Sequence, residues 1–394
     1  MIRLVDVLIL GGGAAGLYAA QAARAQDPRA QIVILSEEAL PTYSRPMLTK
    51  LPLGAYDPEK TLVYSRQWYE AQNITLFLET QVIRLDLKAH LVETQAGFFL
   101  YKTCVYALGA DNFMPPFPGR TLPGVCTIRR DTDIANIRRQ SVGARNAVVI
   151  GGGVIGLEAA YQLQEQGLAV TVMETAPYLM PRLLDEVSSR ELQRRITRLR
   201  ILTAVKILEI EGKDAVTGVR AEGLGTIPAE LVIVSCGIRA NTALAKRAGL
   251  ETDRGVLVDA QMRTSDPYVY ACGDCTQYRG SNTGLWAQAR AQGNVAGTNA
   301  AGGRIEYKGS DQTLLLHCPE FDLFSMGDMG KQQNRHYEAQ NHWLERPRVY
   351  EVNPRSDTAF VRDYRVEGKL VGSFVLGDLS LMEEKKREIL GGEP

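Results

Sequence analysis

The residues with the clearest chemical purpose in this 394-residue chain lie in two glycine-rich turns. The first reads Gly11-Gly12-Gly13-Ala14-Ala15-Gly16 and the second Gly151-Gly152-Gly153-Val154-Ile155-Gly156. Both fit G-x-G-x-x-G. In that pattern the first glycine allows a tight turn, the second lets the backbone approach a pyrophosphate, and the third lets helix and strand pack closely. A helix that starts at such a turn offers free N–H groups and a partial positive charge to the phosphates. An acidic residue follows each turn at about twenty residues, Glu37 after the first and Glu174 after the second. A carboxylate there accepts hydrogen bonds from the hydroxyls of an adenosine ribose. The chemistry on offer is the binding of two dinucleotides.

The elements that must position these residues are legible on either side. Val7-Leu8-Ile9-Leu10 precedes the first turn, an alanine-rich helix follows it, and the chain returns through Gln31-Ile32-Val33-Ile34-Leu35. Ala147-Val148-Val149-Ile150 precedes the second turn, and the return is Ala169-Val170-Thr171-Val172-Met173. The result is an internal repeat of two βαβ units. A lone glycine motif is weak, since any tight strand-to-helix turn uses glycines, but two in strand–turn–helix context are specific. Glu174 also discriminates. Against the 2′-phosphate of NADP, unit charges ~4 Å apart at an effective dielectric of about 20 interact by ~4 kcal/mol, and a third of that gives roughly tenfold preference. The next residues, Thr175, Ala176 and Pro177, include no arginine to reverse it. NADH is therefore expected over NADPH. In the first unit the strand ends Ser36-Glu37-Glu38. An acidic residue is expected at Ser36; Glu37 is taken as the ribose ligand, with a shift of one position as the alternative.

Bulk properties narrow the class. The chain is 45% hydrophobic and 23% charged, with a formal net charge of zero, so bulk charge argues for neither nucleic acid nor a membrane surface. Apolar runs fall short of the ~20 residues of a spanning helix. The N-terminus enters a strand almost at once, without a basic-then-apolar leader. Six scattered cysteines are too few for a disulfide scaffold and fit a reducing compartment. The expectation is a cytoplasmic protein of two or three domains.

Further segments carry a family resemblance. Thr42-Tyr43-Ser44-Arg45-Pro46-Met47-Leu48-Thr49-Lys50, Thr103-Cys104-Val105-Tyr106-Ala107-Leu108-Gly109-Ala110, Leu231 to Asn241, Val269-Tyr270-Ala271-Cys272-Gly273-Asp274 and Gly284-Leu285-Trp286-Ala287-Gln288-Ala289 join the two glycine turns. Together the chain resembles the pyridine nucleotide-disulfide oxidoreductases, and within them the NADH:rubredoxin reductases. One departure is Leu108, where the family has threonine. The resemblance implies an α/β fold with two Rossmann-like dinucleotide-binding domains, as in glutathione reductase, and a small α+β C-terminal domain. It implies FAD-binding parts at 1–118 and 241–305, an NAD-binding domain at 119–240 and a C-terminal domain at 306–394. In that last part short strands are expected at Thr313–Leu316, Phe321–Ser325, Thr358–Tyr364 and Leu370–Leu376, with a charged helix from about Ser380.

The same resemblance distributes roles. FAD falls to Gly11, Gly13, Ala14, Ala15, Gly16, Glu37, Arg45, Lys50, Val82, Ala107, Gly109, Gly273, Asp274, Leu285 and Trp286. NADH falls to Gly151, Gly153, Val154, Ile155, Gly156, Glu174 and Gly237. Lys50 and Glu158 are the expected catalytic residues: an ion pair near flavin N5, with the lysine stabilising charge on reduced flavin. Residues 36–60 hold no cysteine, which argues against disulfide, peroxide and water-forming oxidase chemistry. Cys272 and Cys275 have C-x-x-C spacing, but no second pair completes a zinc or iron–sulfur site, so no metal is expected. Electrons would then leave for a small external carrier such as rubredoxin. The alternatives are a ferredoxin or nitrite-reductase-type NADH reductase component, and a flavin-bearing binding protein whose association is redox-regulated. A monomer and a homodimer are both admissible. Arg190, Arg194, Arg195, Arg198 and Arg200 read as the solvated face of a helix before they read as a docking patch.

Overall fold

Strands that are buried on both faces need continuous apolar runs, and the runs before each glycine turn supply them. The computed structural model describes residues 2–51, 53–282, 284–310, 312–332, 336–345 and 358–391. The chain divides into two compact units.

The first unit comprises Met1–Leu48, Asp57–Phe113 and Gly237–Asp311. Its seven-stranded sheet runs Ile74–Phe77, Ile32–Leu35, Ile2–Leu10, Gly97–Tyr106, Leu91–Thr94 and Val82–Asp86, and Val269–Ala271 also pairs with Gly97–Tyr106. The neighbours of Ile2–Leu10 are parallel to it, with Leu10 level with Leu35 on one side and Tyr106 on the other. Strand Val269–Ala271 joins in parallel at Cys104 to Tyr106. The two strands from Val82 to Thr94 form an antiparallel hairpin appended to the parallel part. Leu8, Ile9 and Leu10 are fully buried because helices and the rest of the unit cover both faces.

Helices Ala14–Gln26 and Trp286–Ala300 cross at very close range. A Cβ on Gly293 would stand 2.4 Å from the Ala15 carbonyl oxygen, and one on Gly297 2.0 Å from that of Ala19. Glycines four apart on one helix thus meet alanines four apart on the other, so backbone packs on backbone.

The second unit comprises Thr49–Tyr56, Met114–Cys236 and Gln312–Pro394. A five-stranded parallel sheet runs Arg200–Leu202, Ala169–Met173, Asn146–Ile150, Leu231–Val234 and Val125–Cys126. Helix Val154–Glu165 follows its central strand. A three-stranded antiparallel sheet, Ile207–Gly212, Val216–Ala221 and Gly225–Pro228, packs against it through Ile210, Val219 and Ile227. The C-terminal segment forms a five-stranded antiparallel sheet ordered Leu314–Cys318, Phe321–Gly327, Lys369–Leu376, Thr358–Val366 and Glu338–Glu345. Helix Met382–Leu390 lies against it, tied by Lys385 to the buried Asp363 at 2.6 Å.

Four of these C-terminal strands lie where the sequence places them, to within two residues. The fifth, Glu338–Glu345, gives no such signal, because residues 338–344 are exposed and carry no apolar alternation. The C-terminal sheet groups with Met114–Cys236 because side chains bind it there. Glu320 accepts from the Tyr161 hydroxyl at 2.7 Å, the Thr197 amide and hydroxyl, and the Arg198 amide at 3.2 Å. Arg362 pairs with Asp185 at 2.8 Å.

Candidate functional site

Two glycine turns are built alike, one in each unit. Gly11 has φ +113°, and a Cβ there would lie 2.2 Å from the Ala107 carbonyl oxygen. Gly151 has φ +111°, with the Ser235 carbonyl oxygen at 2.3 Å. Only glycine meets both demands, positive φ and close approach. Gly16 and Gly156 each lie over the carbonyl of the first glycine, which holds the helix against the turn. Gly13 and Gly153 are different: nothing lies within 4 Å of a Cβ built on either. Each is the N-cap of its helix, and neither helix has a side-chain cap. The open side of each turn therefore presents uncapped backbone N–H groups and a helix dipole, a fit for a pyrophosphate.

At the strand ends the two turns differ. In the second unit the Glu174 carboxylate accepts from the Gly152 amide at 2.8 Å and the Ala176 amide at 2.8 Å. It is 9% exposed and is held at the mouth of the turn by these bonds. Ile155, on the first helical turn beside it, is exposed, and Val154 is half-buried. In the first unit the side chain opposite Gly12 is Ser36, buried, whose Oγ would lie 2.7 Å from a Cβ on that glycine. Ser36 is thus the counterpart of Glu174, and Glu37 is the exposed residue after it. Glu38 is committed elsewhere, accepting from the Tyr43 hydroxyl at 2.5 Å and pairing with Arg45 at 2.5 Å.

Of the remaining residues of the first unit, Ala107 and Gly273 pack on its turn and first helix. Ala107 and Gly109 follow strand Gly97–Tyr106, with Gly109 at φ +63°. Gly273, at φ +82°, packs on Ala15, the second residue of the first helix. Its amide donates to the buried Gln292 Oε1 at 2.9 Å, and the Thr276 hydroxyl donates to the same oxygen. Gln292 thereby orders the Gly273-Asp274 turn, a role that sequence reasoning missed; a glutamine inside an alanine-rich helix face is the signal that was there to find. The field of Asp274 reaches Arg45. Burial opposes the Arg45 charge, but Tyr43, Glu38 and Asp274 outweigh it and hold the guanidinium more firmly protonated than usual. Leu285 caps helix Trp286–Ala300 without a side-chain bond, giving a further uncapped N-terminus. Gly237, at φ +93°, accepts from the Phe113 amide at 2.9 Å. Val82 starts the appended hairpin, half-buried against the core.

Cys272 and Cys275 are fully buried and free. Cys275 Sγ faces the Cys272 and Tyr106 carbonyls at 3.2 and 3.5 Å. Burial pushes the Cys275 thiol up to about 12 and the Cys272 thiol well up. Thiols so held are poor nucleophiles. Among the described residues no group of three or more histidine, cysteine, aspartate or glutamate side chains is placed to hold a metal ion. No helix among them is long and apolar enough to cross a membrane.

The second unit also contains the segment 49–56, laid along helix Val154–Glu165. The Thr49 hydroxyl donates to Glu158 Oε2, and the Leu53 amide donates to Gln162 Oε1 at 2.9 Å. Arg138 donates to the Tyr56 and Gly54 carbonyls at 3.3 Å each. Glu158 is buried and Lys50 exposed. Burial pushes the Glu158 carboxyl up; the Thr49 bond and the Lys50 charge pull the other way without cancelling it. The hydrogen-bond partner of Glu158 is thus Thr49, while Lys50 acts on it through its field. Of the arginine run, Arg190 pairs with Glu186 at 2.6 Å, and Arg194 and Arg195 pair with Glu191 at 3.1 and 3.4 Å along their own helix.

Comparison with known proteins bears on this geometry. The family model for pyridine nucleotide-disulphide oxidoreductases matches residues 5–293. Nitrite reductase [NAD(P)H] of Bacillus subtilis (strain 168) is 31% identical over 381 residues, which is 95% of this chain but 46% of that protein, so the chain spans under half of that relative's length. Nitric oxide reductase FlRd-NAD(+) reductase of Escherichia coli O7:K1 (strain IAI39 / ExPEC) is 30% identical over 334 residues, 84% of this chain and 88% of that one. Among solved structures, a ferredoxin reductase from Rhodopseudomonas palustris superimposes with a TM-score of 0.88 at 26% identity, covering 99% of this chain and 95% of the other.

Proposed function

The chain belongs to the pyridine nucleotide-disulphide oxidoreductase family, and from that premise we propose that it takes hydride from NADH onto FAD and passes the electrons to a small rubredoxin-type carrier. At the coarser level it is an NAD(P)H-dependent flavoprotein reductase that serves small electron carriers. The observation that carries the reading is the pair of uncapped glycine turns with Glu174 at the mouth of the second. FAD, when bound, accepts a two-electron hydride and returns electrons singly, which suits a one-electron acceptor.

The rest falls to the chain's own groups. The turn at Gly11–Gly16, with Gly273 and Asp274, would hold the FAD pyrophosphate and ribityl end. The turn at Gly151–Gly156 would hold that of NADH, and Glu174 would take the ribose hydroxyls. Lys50 would place a positive charge near the flavin as negative charge grows on it. Residues 36–60 contain no cysteine, and Cys272 and Cys275 are buried against carbonyls, which supports an external acceptor over a thiol relay through them.

The test is stopped-flow reoxidation of the NADH-reduced protein by rubredoxin, ferredoxin, a disulfide and oxygen. Fast reoxidation by rubredoxin with the others slow is expected. Slow reoxidation by rubredoxin overturns the acceptor assignment. A second reading, the electron-input component of a nitrite-reducing system, is favoured by the match to nitrite reductase along 95% of this chain. Under it ferredoxin or a separate nitrite-reducing subunit outpaces rubredoxin.

A further inference from the structure

Family likeness pairs Lys50 with Glu158, yet the structure gives the carboxylate another partner. Thr49 and Glu158 are each 6% exposed, and the threonine hydroxyl donates to Glu158 Oε2. We propose that Thr49 is a positioning residue for hydride transfer, its hydroxyl fixing the Glu158 carboxylate so that the Lys50 ammonium is drawn to one place. The inference rests on the flavin-reductase reading above.

The physical case has three parts. A buried carboxylate without a donor tends to take up a proton and go neutral. A neutral Glu158 would exert no pull on Lys50, whose exposed side chain is otherwise free to sample solvent. The Thr49 hydroxyl supplies the donor from a backbone position held independently, since Leu53 is bound by Gln162 and the Gly54 and Tyr56 carbonyls by Arg138. Losing one hydroxyl therefore leaves the segment anchored. Among the described residues, Lys50 from the segment is the charged group acting on Glu158, and helix Val154–Glu165 adds no second one.

The variants are Thr49→Val, which keeps the shape and removes the donor, and Thr49→Ser, which restores it. In FAD-loaded protein, Thr49→Val is expected to slow flavin reduction by NADH about tenfold, with NADH affinity unchanged, and to move the acidic limb of the rate–pH profile upward. Thr49→Ser is expected to return both to wild type. In cofactor-free protein, the infrared band of protonated Glu158, identified by its loss in Glu158→Gln, is expected to titrate at higher pH in Thr49→Val. An unmoved band and profile in Thr49→Val overturn the inference, as does a serine variant no better than valine. Gln162→Ala removes the neighbouring anchor alone and is expected to keep the wild-type profile. If it shifts the profile as Thr49→Val does, segment anchoring is responsible and the inference fails. A wild-type protein that NADH does not reduce sinks the flavin-reductase reading instead, and the infrared titration then still decides whether Thr49 governs Glu158.

Discussion

Among single side chains, the proposed preference for NADH rests most directly on Glu174. Its two oxygens are already held by the Gly152 and Ala176 amides, so the carboxylate cannot swing aside to admit a 2′-phosphate. Glu174→Gln keeps an acceptor for one amide and removes the charge. We expect its preference for NADH over NADPH, as a ratio of kcat/KM values, to fall roughly tenfold, and equal ratios in the two proteins would refute the charge argument. Lys50→Ala is expected to retain FAD, judged by the visible spectrum, while stopped-flow reduction by NADH slows; an unchanged rate removes Lys50 from the mechanism. Glu174 was legible because a strand end after a glycine motif has a fixed geometry. The first unit was less so: Ser36 occupies the matching place, and nothing in Ser36-Glu37-Glu38 says that Glu38 is spoken for by Tyr43 and Arg45. Thr49 lay inside a segment singled out for its lysine, but a hydroxyl's partner 109 residues away cannot be read from spacing.

Elements impose a different kind of constraint. Where helices Ala14–Gln26 and Trp286–Ala300 cross, Gly297 leaves no room for a side chain beside the Ala19 carbonyl. Gly297→Val is expected to cost ~3 kcal/mol and to lower FAD retention, because both helix N-termini shift; thermal melting and flavin content check it, and a wild-type Tm would refute it. The C-terminal sheet depends on Glu320. Burial raises its carboxyl, but donors from Thr197, Tyr161 and Arg198 outweigh that and hold it below its ordinary value. A group depressed in the folded state contributes stability above its unfolded pKa, and that contribution is lost as pH falls through the folded value. Glu320→Gln should therefore lower stability by about 1–2 kcal/mol at neutral pH, and the gap to wild type should close as pH drops below the ordinary 4.5. Melting curves across that range test it, and a gap constant with pH would show that charge is not involved. The strands of this sheet were legible where they are buried along most of their length, as in Phe321–Gly327 and Lys369–Leu376, and Glu338–Glu345 was not, since burial is what writes a pattern into sequence.

At the scale of the whole molecule, the repeated βαβ pattern made the fold readable, because two-sided burial and glycine turns leave marks that survive without any alignment. The grouping of residues into units was harder to see. The segment Thr49–Tyr56 and the C-terminal sheet both belong with Met114–Cys236 through side chains such as Gln162, Arg138 and Tyr161, whose partners are distant in sequence. Removing FAD is expected to lower the Tm, and adding it back to restore it, since a ligand at a hundred times its Kd stabilises by about 2.7 kcal/mol; an unchanged Tm would mean that the first unit is fully organised without it. That unit is assembled from three stretches of chain, and its sheet is complete only when Val269–Ala271 meets the end of Gly97–Tyr106. On the ribosome this becomes a matter of time. At ~5–20 residues per second, roughly ten to thirty seconds pass between emergence of the older strand and arrival of its neighbour. Throughout that interval the Cys104–Tyr106 end of the older strand lacks its neighbour, so the yield of active protein in the cell should depend on translation speed and on chaperones before it depends on the stability of the finished fold.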